Sequence, residues 1–332
     1  MQATAQAQPN IALIKYWGKR DLDLNVPAAG SLSVTLDSLW TRTRVAFDPG
    51  LDCDELVLNG ASNVGETARV STVLDLLRRR ADTGCRARID SRNNFPTGAG
   101  LASSASGFAA LVRAAAAALE LDLDERELSI MARRGSGSAA RSIFGGFVEM
   151  ATGIRDDGED AFARPLLSPA EWPLTVVVAI TSRHAKSIGS TAGMELSRRT
   201  SPYYGEWLRT TADDLVEARE AVAAHNFERL AELAEHSCLK MHALMLATRP
   251  ALLYWSGATV EGLHCVRTLR QRDGLGAFFT VDAGPQVKAI CLPGDAARVA
   301  AALADVPGVE TVMTSALGEG ARVIDERETI QG

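Results

Sequence analysis

The chain has 332 residues, of which 46% are hydrophobic, and its formal net charge is −6 at pH 7. This length fits two domains or one large domain, and the hydrophobic share is that of an ordinary folded protein. The acidic balance argues against a nucleic-acid-binding protein that works through a broad basic face. A charged substrate would therefore have to be met by a few well-placed Lys and Arg side chains.

The cysteines and the apolar stretches indicate the compartment. The five cysteines are odd in number and lack C-x-x-C spacing, which is typical of reduced thiols in a cytoplasmic protein. The first ten residues lack the basic region and apolar run of a signal peptide. The segment 109–119 is the nearest to a membrane span, but it is too short and Arg113 interrupts it. We expect neither a membrane partner nor a nucleic-acid partner.

Alternating and β-branched residues predict strands over 31–36 and 43–47, and a third strand over 87–90. Further strands are predicted over 145–150 and 174–180. The last of these is apolar almost throughout, which favours the centre of a sheet.

Three helices are predicted in the same part of the chain. Apolar residues have helical spacing over 70–80, where three arginines at the end suit the negative pole of the helix dipole. A second helix is predicted over 104–119. Asp124 and Glu127 form a capping-box pattern that begins a third helix, which ends near residue 134.

After residue 180 a polar loop over 181–191 leads into long helical patterns. The predicted elements that follow alternate in type: helices over 204–224, 226–247 and 259–272, strands over 277–281 and 287–292, a helix over 295–303 and a strand over 309–314. The order helix–strand–strand–helix–strand at the end predicts a ferredoxin-like arrangement. We place a domain boundary near residue 180, which gives domains of 1–180 and 181–332.

A glycine- and serine-rich loop over 94–107 runs directly into an apolar, alanine-rich helix. Such a loop directs backbone N–H groups and hydroxyls toward the helix N-terminus, where an anion is favoured. It lacks the Gly-Lys-Ser/Thr of a Walker A loop. It also lacks the strand and the G-x-G-x-x-G of a dinucleotide fingerprint, which excludes an NAD-dependent oxidoreductase. Phosphate binding and a tight connection both stay open on these residues alone.

The segment 10–21 is a short apolar strand that ends in basic residues. Lys15 and Lys19 are suitable point charges for a phosphate, and Tyr16 is a suitable hydrogen-bond donor to it. The alternative is a solvated strand end.

A Gly-Ser-Gly-Ser turn within 133–142 precedes Arg141. The glycines would let the backbone approach a ligand closely, and the arginine fork suits a carboxylate or a phosphate. The alternative is an ordinary loop.

Asp282 follows an apolar strand and precedes a glycine turn. Its carboxylate is placed to act as a general base in a cleft, or else to cap the turn. The polar loop over 182–191 is either a lid that carries hydroxyls and a lysine or a surface connection.

The five histidines show no metal-ligand spacing. His225, His236 and His242 fall on helical segments and are interpreted as structural or surface residues. We expect no protein-built metal site, and Mg²⁺ would arrive with a nucleotide and keep most of its waters.

Taken together, these segments resemble the GHMP kinase superfamily, and within it the diphosphomevalonate decarboxylases. Four stretches carry the resemblance, in the family's order over nearly the whole chain: NIALIKYWGKRD at 10–21, NNFPTGAGLASSASGF at 93–108, RRGSGSAARSIFGGFVE at 133–149 and TVDAGP at 280–285. The resemblance implies an α+β GHMP kinase fold. In it a ribosomal-protein-S5-like N-terminal domain and a ferredoxin-like C-terminal domain form the active site in the cleft between them.

The resemblance also implies a reaction in the mevalonate pathway of isoprenoid biosynthesis. ATP, with Mg²⁺, phosphorylates the 3-hydroxyl of mevalonate 5-diphosphate, and loss of phosphate and CO2 then gives isopentenyl diphosphate. It implies a cytoplasmic homodimer.

Residue by residue, Asp282 matches the family's base, Lys15 its active-site lysine and Arg141 the residue that orients the substrate carboxylate. Tyr16 and Lys19 match residues that hold the substrate diphosphate, and Ser136 and Ser138 match the serine turn of the substrate site. The resemblance places the ATP contacts on the glycine loop and the start of its helix, at Asn94, Pro96, Gly98, Gly100, Leu101, Ala102, Ser103, Ser104 and Ser106.

The chain departs from the family pattern near the expected pocket. Ala29 and Gly30 stand where the family has Asn and Ser, and Gln286 stands where it has Asn. The lid over 189–194 has the form without an arginine before its Gly-Met. Three alternatives therefore stay open: a decarboxylase of mevalonate 5-phosphate, a 3-kinase of the same family, and a non-enzymatic nucleotide-binding regulator.

Overall fold

A computed structural model describes residues 1–95, 103–184 and 186–325. Within these ranges the strands are β1 (Gln2–Ala7), β2 (Asn10–Ile14), β3 (Lys19–Asp21), β4 (Val26–Pro27), β5 (Ser31–Thr35), β6 (Thr41–Asp48), β7 (Glu55–Leu58), β8 (Ala61–Ser62), β9 (Arg86–Asn93), β10 (Phe147–Met150), β11 (Ala163–Leu167), β12 (Thr175–Ile180), β13 (Ala277–Thr280), β14 (Val287–Cys291), β15 (Thr311–Ala316) and β16 (Arg322–Ile324). The α-helices are α1 (Val64–Arg80), α2 (Ser103–Ala118), α3 (Glu125–Gly135), α4 (Ser190–Thr200), α5 (Tyr204–Ala223), α6 (Phe227–Leu246), α7 (Gly257–Gln271) and α8 (Ala296–Ala304). A 3₁₀ turn over Gly137–Ile143 follows α3.

The first sheet has the strand order β16-β1-β6-β9-β7-β8, and it is antiparallel except between β7 and β9. Helix α2 packs on β1 and β6. Its buried face is mostly alanine, and such small side chains let the helix lie close to the strands. The Ser106 hydroxyl near the start of α2 lies 2.6 Å from Thr41 Oγ1 at the start of β6, which holds this end of the helix against the sheet.

The second sheet has the order β11-β10-β5-β2, and its core continues into the C-terminal part of the chain. Val34 and Phe147 of this sheet share one apolar cluster with Val176 of β12 and with side chains of α5 and α6. Burial of this shared core stabilises the contact between the two parts.

The third sheet has the antiparallel order β13-β14-β12-β15, with α7 and α8 packed against it. The predicted order of helix, two strands, helix and strand is confirmed by α7-β13-β14-α8-β15. β12 lies between β14 and β15, as its apolar sequence predicted. Strand β16 leaves this part of the chain and pairs with β1 of the first sheet. The division at residue 180 stays a prediction.

Most predicted elements are confirmed to within a few residues, including the capping box of Asp124 and Glu127 at α3. Helix α1 begins earlier than predicted, because the Asn63 side chain caps it by accepting from Glu66 N–H. The expectation that no strand leads into the glycine loop is wrong, since β9 ends at Asn93. His225 lies in the turn between α5 and α6 with φ 51°, not in a helix.

Several short strands and two longer elements, β1 and α4, were not predicted. Strand β1 has the sequence QATAQA, whose small and polar residues carry a weak strand signal. Helix α4 begins inside the predicted loop, and its N-cap residue Gly189 has no side chain to signal the start. None of the described helices combines the length and apolarity needed to cross a membrane.

Candidate active site

A cleft of about 790 Å³ lies between the N-terminal and C-terminal parts of the chain. The N-terminus of α2, the end of α3, the N-terminus of α4 and the turn after β13 all contribute to its walls. The described residues that line it include five basic side chains and two acidic ones. The basic residues are Lys15, Lys19, Arg69, Arg141 and Lys186, and the acidic residues are Glu195 and Asp282. The cleft is therefore locally basic although the chain is acidic.

Asp282 follows β13, and its side chain is 25% exposed to the cleft. Lys15 Nζ lies 2.9 Å from Oδ1, and Lys288 Nζ lies 3.1 Å from Oδ2. Lys15 is 1% exposed and also donates to the carbonyl oxygen of Ala12 at 2.8 Å. The alternative of a solvated strand end is therefore wrong for Lys15.

The two lysines determine the charge of Asp282. Burial alone would raise the pKa of this carboxyl, but the charges and hydrogen bonds of Lys15 and Lys288 outweigh burial and hold the pKa well below its usual range. Asp282 is therefore an ionised and weakly basic group at neutral pH.

Arg141 lies on the 3₁₀ turn after α3, and it is 2% exposed. Its Nη1 donates to Ser31 Oγ at 2.6 Å, and its Nε donates to Ser33 Oγ at 3.0 Å and to Asn10 Oδ1 at 3.1 Å. Burial lowers the pKa of Arg141 to about 10, so the side chain stays protonated at neutral pH. No carboxylate of the described residues lies within 4 Å of it, so its charge is available to an anionic ligand.

Tyr16 and Lys19 lie on the same wall of the cleft. The Tyr16 hydroxyl is buried and has no hydrogen-bond partner among the described residues, and burial raises the pKa of this phenol. Lys19 Nζ donates to Asn25 Oδ1 and lies 3.4 Å from Thr191 Oγ1. Both side chains are placed where a polar ligand would complete their hydrogen bonds.

The turn after α3 departs from its prediction in one respect. Ser136 and Ser138 line the cleft, with their hydroxyl oxygens 3.3 Å apart. Gly135 and Gly137 line the cleft too, but the space where their Cβ atoms would lie is not open to a ligand. A Cβ at Gly135 would overlap the ring of Phe108, and one at Gly137 would overlap the Tyr16 hydroxyl. The space that these glycines leave is filled by protein side chains.

The glycine loop is described only in part, since Pro96, Gly98, Gly100, Leu101 and Ala102 lie outside the described residues. Ser103 and Ser104 line the cleft at the N-terminus of α2, as predicted.

Two other loop residues face elsewhere. Asn94 Oδ1 accepts from Trp40 N–H at 2.8 Å, and its Nδ2 donates to the carbonyl of Ser38. The hydroxyl of Ser106 is buried 2.6 Å from Thr41 Oγ1. These two side chains contact the first sheet and are not among the described residues that line the cleft, and contact of either residue with ATP stays a prediction.

The polar loop over 182–191 borders the cleft and is not a plain surface connection. Lys186 lines the cleft, and so do Ser190, Thr191 and Ala192 in the first turn of α4. Because the N-cap residue of α4 is Gly189, which has no side chain to cap the helix, the first N–H groups of α4 are available to an anion. Closure of this segment as a lid stays a prediction.

Three of the departures from the family pattern, Ala29, Gly30 and Gln286, are not among the described residues that line the cleft. A Cβ at Gly30 would overlap the Leu215 side chain on α5. Gln286 is buried, where its Oε1 accepts from Thr181 N–H at 2.6 Å and its Nε2 donates to the Ser182 carbonyl.

Three contributors to the cleft went unnoticed in the sequence. Arg69 lies on α1, where its guanidinium stacks on Phe108 at 5.0 Å and donates to the Gly135 carbonyl. Ser31 holds Arg141, and Lys288 holds Asp282. Only Lys288 carries a signal, as a single charge in the apolar strand VKAIC.

Family models match most of the chain. The diphosphomevalonate decarboxylase-like N-terminal domain matches residues 7–163, and the mevalonate 5-diphosphate decarboxylase C-terminal domain matches residues 176–329. The diphosphomevalonate decarboxylase of Candida albicans is 39% identical over 298 residues, which cover 85% of this chain and 82% of that protein. The human diphosphomevalonate decarboxylase is 38% identical over 323 residues, which cover 90% of this chain and 79% of that protein.

Solved structures agree with these matches. The mevalonate diphosphate decarboxylase of Staphylococcus aureus superimposes with a TM-score of 0.91 at 38% identity, over 98% of both chains. A structure of MDDEF in complex with MVAPP, AMPPCP and magnesium superimposes with a TM-score of 0.90 at 37% identity, over 98% of this chain and 99% of that chain. The fold is accordingly the GHMP kinase fold of these enzymes. On sequence, fold and cleft alike, the chain belongs to the diphosphomevalonate decarboxylase family.

Proposed function

We propose that this chain catalyses the ATP-dependent decarboxylation of mevalonate 5-diphosphate to isopentenyl diphosphate, with release of ADP, phosphate and CO2. One observation carries the proposal. Asp282, held by two lysines, faces a basic cleft together with Arg141, whose charge has no carboxylate partner among the described residues. The curated relatives named diphosphomevalonate decarboxylase support the same activity.

The charges of the cleft suit this substrate. Arg141 is the partner for the substrate carboxylate, because its fork is fixed by neutral hydroxyl and amide oxygens only. Tyr16, Lys19, Ser136 and Ser138 would hold the diphosphate together with the N-terminus of α4, where Thr191 Oγ1 lies 3.4 Å from Lys19 Nζ.

ATP would bind with its phosphates at the N-terminus of α2, where Ser103 and Ser104 face the cleft. Among the described residues no group of three His, Cys, Asp or Glu side chains could ligate a metal ion, and both oxygens of Asp282 contact lysines. This donor set fits Mg²⁺ that arrives with the nucleotide and keeps waters as ligands. When bound, the ion neutralises negative charge on the phosphates.

In the first step Asp282 orients the 3-hydroxyl for attack on the γ-phosphorus of ATP and accepts the hydroxyl proton. A weakly basic carboxylate suits this step, because phosphoryl transfer is largely dissociative and little proton removal is needed early. Lys15 uses two of its three N–H groups on Ala12 and Asp282, which leaves one for the charge that develops on the transferred group.

In the second step the bond between C3 and the phosphate oxygen breaks, and phosphate leaves with the electron pair. The bond from C2 to the carboxylate carbon then breaks, its electrons form the new double bond between C2 and C3, and CO2 leaves. Arg141 keeps the carboxylate aligned for this loss, and a closed pocket limits capture of C3 by water.

The test offers the purified chain ATP, Mg²⁺ and, separately, mevalonate, its 5-phosphate and its 5-diphosphate, with ADP and CO2 measured in parallel. Equal amounts of ADP and CO2 with the 5-diphosphate alone support the proposal. CO2 from the 5-phosphate would indicate the related decarboxylase, and ADP without CO2 would indicate a 3-kinase. Nucleotide binding without turnover would indicate a regulator.

We further propose that the protein is a cytoplasmic homodimer. All five cysteines are free thiols, which supports a reducing compartment. The dimer rests on the family resemblance, and sedimentation of the purified chain at several concentrations tests it.

A further inference from the structure

Lys288 is a fully buried lysine in the third sheet. It lies on β14, between β13 and β12, and it is 0% exposed. A lysine at such a position is costly unless its charge is paired. The Asp282 carboxylate supplies that pairing at 3.1 Å.

The two lysines on Asp282 differ in what they can reach. Lys15 lines the cleft, so an anion bound there can contact its ammonium group. Lys288 is not among the residues that line the cleft, and it contacts Asp282 from the sheet side. A bound phosphate can therefore draw Lys15 away from Asp282 but cannot reach Lys288.

We propose that Lys288 is a positioning residue that holds Asp282 as its permanent counter-ion, so that Lys15 can turn to the transferred phosphoryl group. Without Lys288, movement of Lys15 would leave the partly exposed Asp282 carboxylate without a cation in contact with it. This inference rests on the proposed function.

The surroundings of Asp282 make the effect measurable as a pH dependence. The titratable and charged groups that face Asp282 are Lys15, Lys288, Arg141, Lys186, His242 and Cys238. Of these, burial keeps His242 and Cys238 neutral near pH 7, since burial lowers the pKa of the histidine to about 3 and raises that of the thiol. Lys288 is therefore one of few cations that stabilise the ionised carboxylate.

The experiment compares Lys288→Met, Lys288→Gln and Lys288→Arg with the parent chain. In the Met and Gln variants we expect kcat to fall by about ten- to a hundredfold, as for a misplaced catalytic group, while KM for both substrates stays within about threefold. The acid limb of the kcat profile should move up by about one to three pH units, because one opposite charge is lost. Lys288→Arg should recover much of both properties.

Lys240→Met is the matched control, because it removes a lysine from another ion pair, with Asp214, which is partly buried and lies outside the cleft. Its acid limb should not move. Thermal unfolding checks that each variant is folded. The inference is overturned if folded Lys288→Gln or Lys288→Met keeps the parent kcat and the acid limb of the parent. It is also overturned if Lys288→Arg is as impaired as Lys288→Met. If none of the three variants folds, Lys288 has a structural role, and the inference is overturned as well. A parent chain that releases no CO2 would overturn the proposed function instead.

Discussion

The Tyr16 hydroxyl lies against the α-carbon of Gly137, where any Cβ would overlap it. The two residues are far apart in sequence, yet the absence of one side chain makes room for the other. Because Tyr16 is proposed to bind the diphosphate, this contact links the shape of the turn after α3 to substrate affinity.

Gly137→Ala should therefore displace Tyr16 and raise KM for mevalonate 5-diphosphate by about tenfold or more, since a displacement of about 1 Å can cost a hundredfold. KM for ATP should change little. Steady-state kinetics with each substrate varied measure both values. Gly257→Ala is the control, because a Cβ at Gly257 meets no atom within 4 Å. A selective rise of KM for ATP would contradict the assignment of Tyr16.

Asp282→Asn should lower kcat by at least about a thousandfold, through loss of the base and of its charge. The affinities for ATP and substrate should stay within several-fold, which calorimetric titration measures. The variant should also unfold at a lower temperature, because two buried lysines lose their carboxylate. Asp214→Asn breaks the Asp214–Lys240 pair outside the cleft and should keep the parent rate. A near-normal rate for Asp282→Asn would refute its role.

Arg141→Lys keeps the charge but loses the planar fork held by Ser31, Ser33 and Asn10. We expect kcat/KM for the 5-diphosphate to fall by about a hundredfold or more, because orientation of the carboxylate is lost. Ser31→Ala removes one hydrogen bond to this charged group and should cost about tenfold, equivalent to about 1.4 kcal/mol. If Arg141→Lys changed only the affinity for ATP, Arg141 would not belong to the subsite of the substrate carboxylate, and the assignment would be wrong.

His242 should make stability depend on pH. Burial lowers its pKa to about 3, and Trp255 Nε1 donates to its Nε2 at 3.2 Å, a contact that needs an unprotonated Nε2. Between pH 6.5 and 3 the unfolded chain binds a proton here that the folded chain does not, so stability falls as pH falls. This group should cost about 2 kcal/mol between pH 7.5 and pH 5.

Urea unfolding of the parent and of His242→Gln at both pH values measures this difference. The parent should lose about 2 kcal/mol more than the variant, since only the parent carries this titrating group. Equal losses in the two proteins would show that His242 does not titrate as described.

The fold was largely predictable where sequence periodicity is strong. The alternation in β6 and the capping box at Asp124 each determine a local conformation, and both were confirmed. Strand β1 was missed because its sequence, QATAQA, has a weak intrinsic preference for strand. Pairing with β6 and β16, which are distant in sequence, stabilises it.

The candidate site was predictable as a set of residue types but not as a set of contacts. Asp282, Lys15 and Arg141 were identified through motifs, and each lines the cleft. Their partners Lys288 and Ser31 were not identified, because strand pairing and register determine which side chains meet behind the cleft. Asn94 and Ser106 were assigned to ATP because a motif names residues without stating which way their side chains point.

Strand β16 pairs with β1, so the last described strand belongs to the sheet formed by the first. The backbone consequently crosses between the two parts twice, once over 168–174 and again over 317–321. A fragment that stopped at residue 174 would lack β16 and leave β1 as an edge strand paired only with β6, which invites association with other chains. Because the two parts share this sheet and an apolar core, we expect them to unfold in a single cooperative transition, although family models divide the chain into two domains.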